Sequence, residues 1–171
     1  MKKILLAVAS LCFTGCLGTP RSVKPVNGFE LNRYLGRWYE IARLDHSFER
    51  GLDHVTADYA LLEDGAISVA NRGYSAEQDQ WREAAGKAKF VGESSVGHLK
   101  VSFFGPFYSS YVIFGLDHDD YQYAYVCGYK TSYLWLLSRT PAVDESILAQ
   151  FREEAAELGF DTEQLIYVNQ Q

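Results

Sequence analysis

Cysteine is scarce in this chain. Of its three, Cys12 sits in an apolar leader and Cys16 directly behind it, so Cys127 stands alone in the body of the sequence. A lone thiol excludes an internal disulfide, even in an oxidising compartment, and leaves stability to the core and the hydrogen-bond ladders. Basic charge is also short: 16 Lys and Arg stand against 22 Asp and Glu, a formal net charge of −6. Without Lys2 and Lys3 the balance is 14 against 22, or −8. Such a surface argues against nucleic acid as a partner and against a domain lying flat on anionic lipid. The four histidines, at 46, 54, 98 and 118, share no metal-ligand spacing, and the cysteines form no CxxC pair. Ser109 and Ser110 lack a Gly-x-Ser-x-Gly elbow, and no glycine-rich phosphate loop occurs. The carboxylates of "EDG", "DHDD" and "REEAAE" read as turn and helix surface. No catalytic residue, metal or cofactor is therefore expected; a buried Glu40 with a raised pKa is the one general acid or base to nominate.

The first residues are a leader. Lys2 and Lys3 precede an apolar run from Ile4 to Phe13, which is too short for the roughly 20 residues that span a bilayer and fits a secretory signal. The "FTGC" at 13–16 resembles the lipobox of bacterial lipoproteins, with Phe13 in place of the usual leucine. That resemblance implies a signal peptide over 1–15 and lipidation of Cys16; Leu17 rather than Asp after the cysteine implies the outer membrane. An ordinary signal ahead of a soluble periplasmic protein is the alternative. Residues 16–28, with two prolines, glycine, threonine and serine, read as the lipidated cysteine and its tether. Residues 29–171 form the domain, long enough for a full core.

Along that domain, short runs rich in Tyr, Val, Phe and Ile alternate with turns. They fall at 38–45, 54–62, 66–74, 81–92, 98–104, 111–117, 121–129 and 133–139, with Asp64-Gly65 as a hairpin signal between the second and third. Pro141 ends the last run. Beyond Asp144 the apolar residues Ile147, Leu148, Phe151, Ala155 and Leu158 take helical spacing. Asp144 is the expected N-cap, Val143 and Leu148 a hydrophobic staple, and Gly159 the stop. "LIYVN" at 165–169 suggests a short closing strand. Eight antiparallel strands in sequence predict an all-β, up-and-down barrel with one C-terminal α-helix packed outside, since closure removes exposed edges. A β-sandwich is the competing architecture, and usually needs longer crossovers.

The segment Gly36-Arg37-Trp38-Tyr39-Glu40 resembles the Gly-x-Trp signature of the lipocalins, "LSRTP" at 137–141 their last signature, and "LDHDDYQYAYV" at 116–126, loosely, the middle one. The stretches "LNRYLGRWYEIARLDHSFERG", "KVSFFGPFY" and "YLWLLSRTP" are most similar to the bacterial outer-membrane branch of the family, relatives of apolipoprotein D. The resemblance implies that Trp38 plugs the closed end of the barrel, with Arg139 lying across it and Gly36 allowing the tight entry. These three are structural residues of barrel closure.

Strand alternation then names the lumen. If Arg139 reaches Trp38 from inside, Leu137, Trp135 and Tyr133 share its face, and Trp38 sets Glu40 and Ala42 inward. The other strands, phased by resemblance to retinol-carrying members, contribute Val55, Ala57, Tyr59, Ile67, Val69 and Asn71. Gly86, Ala88, Phe90, Leu99, Val101 and Phe103 follow, and then Tyr111, Ile113, Tyr123 and Tyr125. This mostly apolar lining with sparse polar points suits an acyl chain. The expectation is a lipid-anchored protein on the periplasmic face of the bacterial outer membrane. It would bind, store or transport fatty acids or lysophospholipids for envelope maintenance, and a homodimer is a further expectation. A structural or interaction protein with a filled barrel is the rival, and an enzyme acting on a lipid ligand the lesser alternative.

Overall fold

The computed structural model describes residues 17–171; the leader and Cys16 lie outside them. Eight antiparallel strands form an unbroken meander: β1 (Gly36–Arg43), β2 (Leu52–Leu61), β3 (Ile67–Ser75), β4 (Gln80–Phe90), β5 (His98–Phe104), β6 (Phe107–Leu116), β7 (Tyr123–Cys127) and β8 (Leu134–Ser138). Each pairs with the next, β8 returns to β1, and β1 also pairs with β2, so the sheet closes on itself. Every strand thereby finds two partners and no long edge is left to template aggregation.

Two apolar layers result. One lies inside the barrel around Trp38, Tyr59, Val69, Leu99, Ile113 and Leu137. The other lies outside it, where α2 (Glu145–Glu157) buries Phe151 and Ala155 against Ile41, Val112, Leu134 and Leu136. Asp144 precedes α2 with extended backbone but makes no side-chain cap hydrogen bond. Val143 and Leu148 both pack into the outer layer, as a staple should. Gly159, at φ +90°, takes the left-handed position that ends the helix. The last residues form β9 (Ile166–Tyr167), which pairs with Ala42 and Arg43 of β1.

Two features depart from the expected plan. Residues 20–27 do not hang free as a tether. Val23 is buried in the outer layer, Ser22 Oγ donates to the Leu158 carbonyl, and Val26 exchanges backbone bonds with Gly97 and Ile113. A short helix, α1 (Leu31–Tyr34), then crosses the closed end and delivers Tyr34 to the barrel floor. Two valines are too few to show a period, which is why composition alone reads this stretch as linker.

Candidate functional site

The closed end is built around Trp38, which has no exposed surface. Its indole Nε1 donates to the Tyr34 carbonyl at 2.8 Å, and the Tyr34 ring lies 4.7 Å from it, centroid to centroid. The Arg139 guanidinium stands 3.9 Å above the indole. Gly36 enters β1 at φ +94°, a conformation that disfavours any side chain.

Above this plug lies the lumen. Tyr59, Val69, Ala88 and Ile113 are buried in the inner layer, together with Ile67, Leu99 and Leu137. Ala57, Phe90, Val101, Phe103, Tyr111 and Trp135 pack against the same layer but remain half-buried. Side chains that face inward and still retain accessible surface border open space, whereas a solidly packed core would bury them. Asn71 joins this face by register, opposite Ala57 on one side and Ala84 on the other, and its Oδ1 is buried without a partner among the described residues. Val55 sits in a small separate cluster with Leu52 and Val168, where the C-terminal segment lies beside β2.

Three of the expected lumen residues, Ala42, Tyr123 and Tyr125, face the other way. Ala42 belongs to the outer layer, because the β1–β8 register shifts between Glu40 and Ala42. Ile41 and Ala42 both turn outward across this bulge, and Arg43 takes the inward place instead. Tyr125 is also outward, 5.0 Å from the Phe151 ring of α2, as is Tyr123. Both line a cleft of about 240 Å³ outside the barrel, with Phe114 and Glu154. The inward residues of β7 are Ala124 and Val126, which pair with Leu137 and Trp135. Carrying the correct parity of β8 across this ladder would have found them, but the register is not written in the sequence.

The mouth holds a cluster of buried charges that alternation could not reveal. Arg43 is 2 % exposed; its Nη1 donates to Glu40 Oε1 at 2.7 Å, and its Nη2 donates to the Glu49 and Leu52 carbonyls at 3.0 and 3.1 Å. Glu49 Oε2 accepts the Trp135 indole N–H at 3.0 Å and lies 2.9 Å from His46 Nε2. Loop 44–51 is thereby fastened over one side of the entrance. Burial and the neighbouring Glu49 charge push the Glu40 carboxyl well above the usual range, with Arg43 opposing them. For Glu49, burial works against ionisation. The hydrogen bond and charge of His46, the Trp135 N–H and Arg43 outweigh it and hold this carboxyl low. The two carboxyls are thus driven apart, Glu40 towards its neutral form and Glu49 towards its charged form. Around the mouth Phe48, Phe104 and Phe107 are 56 %, 82 % and 78 % exposed. Tyr133 lies within ring contact of His46, Phe48 and Trp135. Among the described residues no group of three or more His, Cys, Asp or Glu converges as metal ligands would, and no helix is long and apolar enough to cross a membrane.

A closed eight-stranded barrel with an outer helix, an apolar interior and an indole plug under an arginine defines a small-molecule-binding β-barrel of the lipocalin type. The lipocalin-like domain family matches residues 29–170, and the chain belongs to that family. It is 63 % identical to the outer membrane lipoprotein Blc of Vibrio cholerae serotype O1 over 171 residues, all of both chains. To the protein of the same name from Escherichia coli K12 it is 45 % identical over 169 residues, 98 % of this chain and 95 % of that one. Apolipoprotein D of Mus musculus is 30 % identical over 161 residues, 90 % of this chain and 84 % of that one. Insecticyanin from the tobacco hornworm Manduca sexta superimposes with a TM-score of 0.71 at 22 % identity, covering 89 % and 86 % of the two chains, a likeness of fold.

Proposed function

We propose that this protein is a lipid-anchored carrier at the outer membrane, on its periplasmic face, whose barrel takes up fatty acids or lysophospholipids for envelope maintenance, storage or transport. The observation that carries this reading is the set of inward side chains with accessible surface, Ala57, Phe90, Val101, Phe103, Tyr111 and Trp135, around an otherwise apolar lumen. Cys16, acylated as its lipobox-like context implies, supplies the anchor, and the relatives named outer membrane lipoprotein support that location.

The energetics are adequate. Burying about 15 methylenes at about 0.8 kcal/mol each yields roughly 12 kcal/mol before costs. Association and chain ordering remove at least about 4 kcal/mol of this, leaving at most about 8 kcal/mol, an affinity that reaches the micromolar range at best. Two copies pairing through the exposed rings of Phe104 and Phe107 is part of the same reading; sedimentation of the lipid-free chain reports it.

The direct test titrates the full chain carrying Cys16→Ser with fatty acids and lysophospholipids of graded length, following Trp135 fluorescence. Saturable one-site binding supports the carrier. A folded barrel that binds none of them overturns it in favour of an interaction protein with a filled lumen.

A further inference from the structure

Three phenol hydroxyls meet inside the barrel. Tyr111 Oη lies 2.6 Å from Tyr34 Oη and 2.9 Å from Tyr59 Oη. Tyr34 arrives from α1 beneath, Tyr59 from β2 and Tyr111 from β6, the strand that β2 faces across the barrel. The cluster therefore crosses the barrel interior beside the Trp38 plug, against which Tyr34 packs. Three hydroxyls bring three protons, and their two contacts use two. Whichever way the rotors turn, one O–H has no acceptor among the described residues. All three are held neutral by burial, so the surplus is a donor and not a charge.

Asn71 presents the complementary surplus, a buried Oδ1 with no donor among the described residues. Tyr59 pairs with Val69 and Ala57 with Asn71, so Tyr59 and Asn71 are diagonal neighbours on the inward face. Such neighbours stand about 7–8 Å apart, within reach of aromatic and long side chains, so both polar groups border one stretch of the lumen. A methylene there satisfies neither group and strands both, which is costly in an apolar enclosure. A carboxylate accepts but cannot donate to Asn71. A hydroxyl does both.

We propose that the lumen carries a hydroxyl-recognition subsite formed by the Tyr34–Tyr111–Tyr59 cluster and Asn71, selecting acyl chains that bear a hydroxyl along their apolar length. The subsite rests on the carrier reading and specifies its cargo. Its depth, next to the plug, places the hydroxyl far from the head group, which stays at the mouth near Arg43 and Glu40. The chain enters tail first, and its hydroxyl supplies the acceptor and the donor that the tyrosine cluster and Asn71 lack.

The test compares octadecanoic acid with 12-hydroxyoctadecanoic acid on the full chain carrying Cys16→Ser, by displacement of a fluorescent fatty acid. The hydroxy acid is expected to bind about tenfold more tightly, the effect of one well-made pair of neutral hydrogen bonds. Tyr59→Phe and Asn71→Leu, made separately and each checked by circular dichroism, should each bring the ratio towards one. Equal affinities in the parent protein overturn the subsite and leave the carrier reading standing. Binding of neither acid overturns both. A preference that survives in both variants overturns the assignment to these residues.

Discussion

Arg139 and Trp38 clasp the closed end of the barrel. The guanidinium carbon stands 3.9 Å from the indole centroid, while Nη1 donates to the Arg37 carbonyl at 2.8 Å and Nη2 to the Arg33 carbonyl at 2.6 Å. One planar side chain thus covers the plug and ties β8 to both the start of β1 and the end of α1. The indole in turn holds the Tyr34 carbonyl, so the floor on which the tyrosine cluster rests depends on this contact.

Arg139→Met should therefore lower stability by about 2–3 kcal/mol, the sum of a cation–π contact and two half-exposed hydrogen bonds. Arg139→Lys should recover less than half of that, because an ammonium cannot stack on the ring and fork to two carbonyls at once. Urea unfolding of the three proteins measures both; a lysine variant as stable as the parent contradicts the account.

The Glu40 site predicts a pH dependence with a definite sign. Its carboxyl is raised in the folded state by burial and by Glu49, so the native protein holds a proton that the unfolded chain releases. Stability from this group is present at low pH and is lost as pH rises through its elevated folded pKa. Glu40→Gln removes that loss, and the gap between variant and parent melting temperatures should widen in favour of the variant as pH increases. Thermal melts across the neutral range check it, and a gap that narrows with rising pH contradicts it.

Cys127 is fully buried in the outer layer, and burial pushes its thiol up to about 12. It should resist a thiol reagent such as DTNB in the native state and react only as the barrel unfolds in denaturant. Rapid labelling of the native chain carrying Cys12→Ser and Cys16→Ser, whose one remaining thiol is Cys127, would show that this layer opens.

The barrel was legible because its signals are local. Alternating apolar runs, the Asp64-Gly65 hairpin and the helical spacing from Ile147 to Leu158 each fit inside one window of sequence. The lumen was legible only in part. On the strands phased by resemblance, Tyr59, Val69, Ala88 and Ile113 lie in the inner layer, with period two carrying the phase along each regular stretch. At Ala42 it fails, because a bulge between Glu40 and Ala42 slips the face by one residue and no residue type marks the slip. At Tyr125 it fails for a different reason. The phase taken from the resemblance set β7 one residue out of step, and the packing of Phe151 against Tyr125 shows that the helix side claimed it. Arg43 and Glu49 escaped notice because a charged residue in a strand or loop reads as solvent-facing until its partners are known.

The decisive measurement is ligand affinity in two tryptophan variants, at one alanine on each of the adjacent strands β1 and β2. Ala57→Trp fills the lumen beside Trp38, while Ala42→Trp overpacks the layer under α2, at about 1–3 kcal/mol of stability. The account predicts that Ala57→Trp weakens lysophospholipid binding at least tenfold with the barrel still folded. Ala42→Trp, though less stable, should bind as the parent does wherever it remains folded. Undiminished binding by a folded Ala57→Trp protein would contradict the central claim that the ligand lies inside the barrel.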